Sequence, residues 1–250
     1  MDMDPMVIKK LAHLPEKSRK VIIDFADQIA EAFTGKVEAL VLFGSAAGGD
    51  FIEDKSDINI LIVLDDVRAI DLNMIMHIGK KYAKKGLGIP LIFQKDHVAT
   101  SLDTFPIEFS DMKRRHILLF GNDLLSNAII EGQNLRYQCE RELKSMMVNL
   151  RRGFLRTEGR KENLEDLLTG SLSTVLAACR GMMWLAEKTP PDNIDDLLAA
   201  VRTVYNADTA AIDRVWHLRK GGSESTATLE TLFESYVDDI ARLALIVDRL

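Results

Sequence analysis

Two β-rich apolar runs, VEALVLF at 37–43 and INILIVL at 58–64, constrain this chain more than any other feature. Both carry the aliphatic and β-branched side chains that pack on a pleated surface. The second is apolar almost throughout, as a strand buried at the centre of a sheet must be. Between them, Gly44-Ser45 and the segment AAGGDFIEDKS read as a turn and a loop because of their glycines and acids. A helix is predicted before the first run. Pro15 suits its opening turn, Ile22, Phe25, Ala26, Ile29 and Phe33 recur at helical spacing, and Gly35 stops it. A second helical pattern runs from about Ile70 to Tyr82 and closes at Gly86 and Gly88. IPLIF at 89–93 and ILLF at 117–120 supply two further strands, while 103–116 shows no decisive period. Strands alternating with helices predict an α/β sheet.

From about Asn127 the period changes. Leu135, Cys139, Leu143, Met146, Leu150 and Phe154 step along one helical face, and so do Leu164, Leu168, Leu172, Val175, Cys179 and Met182. A third series ends the chain, from Leu229 through Phe233, Tyr236, Ile240, Leu243 and Val247 to Leu250. Pro190-Pro191 and Gly221-Gly222 punctuate this half, with a shorter helix pair expected over 192–219. The pattern predicts an antiparallel bundle of four to five helices.

Composition excludes several function classes. A net charge of −6 argues against broad binding to nucleic acid, which draws most of its affinity from a basic surface. No apolar run reaches the roughly 20 residues that span a bilayer. The opening MDMDPMVIKK is acidic first and lacks the apolar stretch of a secretory signal. Cys139 and Cys179 fall in separate helices without a Cys or His at ligand spacing, so they read as buried thiols in a reducing cytoplasm.

Chemistry concentrates in Phe43-Gly44-Ser45, then eleven residues, then Asp57-Ile58-Asn59 at the head of an apolar strand. A Gly-Ser turn directly after a strand lets the backbone approach a ligand, and its N–H groups with the Ser45 hydroxyl suit phosphate oxygens. Residues 57 and 59 of a strand point to one face. Oxygen donors placed that way hold magnesium together with substrate phosphates, and the metal neutralises charge on a transferred group.

This stretch resembles the motif of the nucleotidyltransferase superfamily, which contains the polymerase-β-like and aminoglycoside nucleotidyltransferases. In that family a strand ends in Gly-Ser and a later strand begins Asp-hydrophobic-Asp. Its members move a nucleoside monophosphate from a triphosphate with two magnesium ions, and a third carboxylate comes from a later strand. The resemblance implies an α+β domain with a mixed sheet over 1–126, followed by an all-α bundle over 127–250. It further implies a nucleoside triphosphate as substrate and a small molecule or protein side chain as acceptor, with a homodimer left open. Gly44 and Ser45 then hold phosphates, and Asp57 with Asn59 holds Mg2+. Here Asn59 replaces the second acid and brings a carbonyl without charge. IPLIF offers no third carboxylate on either face, and Glu108 in FPIEF is the nearest candidate for a catalytic role beside Asp57. The missing acids favour a degenerate relative, binding nucleotide or a partner without turnover, over a working enzyme. The basic run Lys113-Arg114-Arg115-His116 is expected to be a solvated turn, and His217 a packing or surface residue.

Overall fold

The computed structural model describes residues 4–48, 51, 53 and 56–250. The chain divides into two compact units, one of Met1–Thr104 with Glu108–Ile129, the other of Phe105–Ile107 with Ile130–Leu250.

The first unit runs α1 (Pro5–Lys10), α2 (Glu16–Ala32), β1 (Val37–Phe43), α3 (Ser45–Gly48), β2 (Asn59–Leu64), α4 (Ala69–Ala83), β3 (Leu91–Gln94), α5 (Lys95–Thr100), α6 (Pro106–Arg114) and β4 (His116–Gly121). The strands form one mixed sheet in the order β3-β2-β1-β4. β1 is antiparallel to both β2 and β4, while β2 is parallel to β3. On one face Leu40, Leu42, Ile60, Ile62, Ile117 and Leu119 join Ile22, Phe25 and Ile29 of α2 with Ile75, Ile78 and Tyr82 of α4. Alternation puts Ala39, Val41, Leu61 and Val63 on the opposite face, and they too are buried. That double burial explains why the middles of both runs are apolar on both faces. Phe25 and Tyr82 meet edge to face at 5.9 Å and tie the two helices together.

Local chemistry moved several expected boundaries. Ser45–Gly48 is one helical turn rather than loop, because the Ala47 and Gly48 amides both donate to the Gly44 carbonyl at 3.0 Å. The remainder of the expected loop lies partly outside the described residues. The strand expected at 89–93 is instead Leu91–Gln94, since Pro90 has no N–H to give to a ladder. Residues 106–116 form α6, a bend at Arg115 and the start of β4, so the run from Lys113 to His116 is a helix end, a bend and a strand start. The short helix α1 had no strong period to announce it. The Asp4 carboxylate caps it by accepting the Met6 amide at 2.7 Å.

The second unit holds five helices: α7 (Gly132–Arg156), α8 (Lys161–Leu185), α9 (Ile194–Tyr205), α10 (Ala210–Arg219) and α11 (Thr226–Asp248). α7 and α8 run antiparallel at close range. A Cβ on Gly181 would stand 2.4 Å from the Cys139 sulfur, while at the far end Gly153 faces Leu167. Leu143, Leu172, Val175, Leu198, Ile212, Tyr236 and Ile240 fill the core. Several polar groups inside it are paired, as burial favours. Tyr236 Oη and Ser171 Oγ lie 3.1 Å apart, and the buried Asp239 carboxylate accepts the Ala211 amide at the start of α10 at 2.8 Å. The Ile107 amide donates to Gln138 Oε1 at 2.8 Å, which fixes Phe105–Ile107 to this unit. Cys139 and Cys179 are free and buried, and burial pushes the Cys179 thiol up to about 12. Among the described residues no helix is long and apolar enough to cross a membrane.

Candidate functional site

The end of β1 gathers the motif. Phe43 stands opposite Asn59 on one side and His116 on the other, so these three residues form a row across β2, β1 and β4. Directly after it Gly44 adopts φ +73°, a left-handed conformation that side chains disfavour, and this turns the chain into α3. A Cβ on Gly44 would lie 3.3 Å from Asn59 Nδ2, so the turn comes down on the Asn59 amide. Ser45 opens the helical turn that follows and is half-buried.

Across β2 the neighbour is the segment before β3. The Ile58 amide donates to the Gly86 carbonyl at 2.8 Å, and the Gly88 amide donates to the Ile58 carbonyl at 3.0 Å. Ile58 is fully buried among the helices on one face, so Asp57 and Asn59 point to the other. Gly88 sits beside both of them. A Cβ there would be 3.2 Å from Asn59 Oδ1 and 3.6 Å from the Asp57 Cβ. Gly44, Asn59, Asp57 and Gly88 are therefore one contiguous patch.

Asp57 is exposed, and a cavity of about 190 Å3 opens beside it, lined by Lys17, Lys84, Lys85, Glu53 and Ser56 among others. The patch is polar but weakly acidic. One carboxylate and one amide carbonyl suit a single cation that shares its shell with phosphates; two adjacent divalent ions need more negative charge. Glu108 lies on the exposed side of α6, whose inward residues are Ile107, Phe109 and Met112. Among the described residues no group of three His, Cys, Asp or Glu side chains stands close enough to hold a metal. Gly88, in the segment before β3, stands beside both residues and has no side chain to add to the patch.

Two residues near the turn belong to the basic run that the sequence predicts to be a solvated turn rather than a phosphate site. The Arg115 side chain lies over Gly48 at the end of α3, with Cδ 2.8 Å from where a Cβ would be, so the fold sets a cation beside the Gly-Ser turn. His116 presents Nε2 to both Asp123 oxygens at 3.2 Å, while Nδ1 faces the Met112 and Lys113 carbonyls. Partial burial opposes ionisation of Asp123. The Ser126 hydroxyl and amide, helped by His116, outweigh it and hold the carboxyl down at about 2. Only the place of Arg115 and His116 in a basic run hinted at them.

Residues 22–118 match the nucleotidyltransferase domain family. Among solved structures, the chain is similar to the spectinomycin adenyltransferase AAD(9) from Enterococcus faecialis, solved with ATP and spectinomycin. The TM-score is 0.58 at 12% identity, over 92% of this chain and 98% of that one. At that identity the likeness is one of fold. No curated protein matches the chain by sequence. The matched segment, residues 22–118, contains the whole Gly44-Ser45 and Asp57-Ile58-Asn59 patch, so the likeness to the nucleotidyltransferase domain family covers the site.

Proposed function

We propose that the first unit binds a nucleoside triphosphate with one magnesium ion at the Gly44–Asp57 patch. We further propose that transfer of its nucleoside monophosphate to a small-molecule or protein acceptor is slow or absent. The observation that carries this is the composition of the patch: Gly44 folded onto Asn59, with Asp57 the one acid among these four described residues and Gly88 beside both. The Gly44 turn and the Ser45 hydroxyl are suited to phosphate oxygens, and the Arg115 cation is placed to offset their charge. The Asp57 carboxylate and Asn59 carbonyl fit one magnesium ion, which when bound supplies charge neutralisation at the transferred phosphorus. The chain's own part is to orient the triphosphate, and a neutral amide leaves it short of the charge for a second ion.

The structural neighbour was solved with ATP and spectinomycin, which makes ATP the first triphosphate to try and a small hydroxylated molecule the first acceptor. Two free, buried thiols suit a reducing cytoplasm. The test is thermal unfolding with ATP and magnesium, since a ligand of the native state raises the melting temperature. Wild type should shift upward, Ser45→Ala less, and Asp57→Ala not at all. No shift with any of the four common ribonucleoside triphosphates at millimolar concentration would overturn the proposal. A working enzyme is the second reading, favoured by the family match alone; steady release of pyrophosphate by wild type with an acceptor would establish it.

A further inference from the structure

The first unit has a sheet edge next to the nucleotide patch, with Gly88 at the border of both. In the order β3-β2-β1-β4, β3 has a strand neighbour on one side only among the described residues, so one row of its backbone N–H and C=O groups meets no described strand. Edge strands are ordinarily guarded by charge. The sequence of β3, LIFQ, carries none, and the residues leading into it are apolar and open, with Ile89 97% and Leu91 39% exposed.

Alongside that edge runs an apolar groove of about 310 Å3 between α4 and the approach to β3. Ile75, Leu87 and Ile92 form its inner wall, while Leu72 and Met76 of α4 stand exposed at its rim. Single exposed apolar side chains are ordinary; a contiguous set beside an unpaired strand marks a surface meant to be covered.

Charge indicates by what. Lys80, Lys81, Lys84 and Lys85 are all exposed at the end of α4 and just beyond it, and Lys80 lines the groove itself. In a protein of net charge −6 this is a local cationic rim. A second copy paired through the same edge would bring two lysine rims together, which like charges oppose. A flat bilayer does not fill a groove, whereas a side chain does.

We infer that the β3 edge accepts an extended segment of a partner protein as an added strand. Its central apolar side chains enter the groove and its flanking carboxylates meet the lysine rim. This does not depend on nucleotide binding. The probe is a fluorescein-labelled short peptide with a leucine- and valine-rich centre and glutamates at both ends, titrated with the full chain by anisotropy. The glutamate peptide should bind, while the same peptide with lysines in place of glutamates binds at least about tenfold more weakly. Lys80→Glu/Lys84→Glu should reverse that preference, and N-methylation of alternate peptide amides should abolish binding by removing the ladder. The inference is overturned by no binding, by equal binding of the lysine or N-methylated peptide, or by a sedimentation experiment in which a dimer of this chain buries the edge. Binding to anionic lipid vesicles that the same lysine variant abolishes, with no peptide binding, overturns it in favour of a membrane.

Discussion

Gly88, just before β3, lies where a side chain would stand 3.2 Å from the Asn59 amide oxygen and 3.6 Å from the Asp57 Cβ, so at this position no side chain joins the patch. Charge can therefore be added back at two places. Asn59→Asp should tighten magnesium-dependent ATP binding, and Asn59→Asp with Gly88→Asp should raise pyrophosphate release by about tenfold or more, about 1.4 kcal/mol of barrier. Pyrophosphate assays of wild type and both variants with one acceptor pool decide it. Robust wild-type turnover that falls on Asn59→Asp would show that the amide belongs to a competent site.

Gly44→Ala should cost about 1–2 kcal/mol, because φ +73° strains any side chain and the new Cβ meets the Asn59 amide at 3.3 Å. Urea unfolding reads the loss. The ATP-induced rise in melting temperature should shrink as well, because in the proposed binding mode the turn holds the phosphates. Full stability in the variant would remove the strained-turn account.

Asp239→Ala should destabilise the protein by about 2–4 kcal/mol. The carboxylate is 2% exposed, accepts the Ala211 and Ile212 amides at 2.8 and 3.4 Å, and pairs with Arg242 at 2.7 Å. Its removal strands the first turn of α10 inside the core. Asp239→Asn keeps one acceptor and should lose less. Equal unfolding midpoints for the two variants would contradict the capping role.

Asp123 makes acid stability diagnostic. Its folded carboxyl is held at about 2, below the ordinary 3.8, so it contributes stability that is complete above about pH 4 and lost as pH falls through about 2. Wild type should therefore exceed Asp123→Asn in urea midpoint at pH 5, and the gap should close toward pH 2. A gap independent of pH across that window would exclude ionisation as the cause.

The elements themselves were legible from the chain because their periods are local. VEALVLF is β1 to the residue, and the apolar steps of the second half are the inward faces of α7, α8 and α11, except Leu250, which lies past α11 and is 56% exposed. Asp57 and Asn59 were expected on one face, which follows from strand alternation alone. The mixed sheet was expected from the family resemblance rather than from any residue pattern.

What the chain could not announce depends on pairing between distant segments. The sequence by itself determined two strand runs, a Gly-Ser turn, an Asp-x-Asn strand head and a helical second half. Only the tertiary structure decided that Gly88 adjoins that strand head, that Arg115 lies over Gly48, and that β3 ends the sheet with an open edge. Periodicity records which face of an element is buried, because the hydrophobic effect acts on every residue of that face. Register and strand order are set by contacts between elements far apart in the chain, and no single segment carries them.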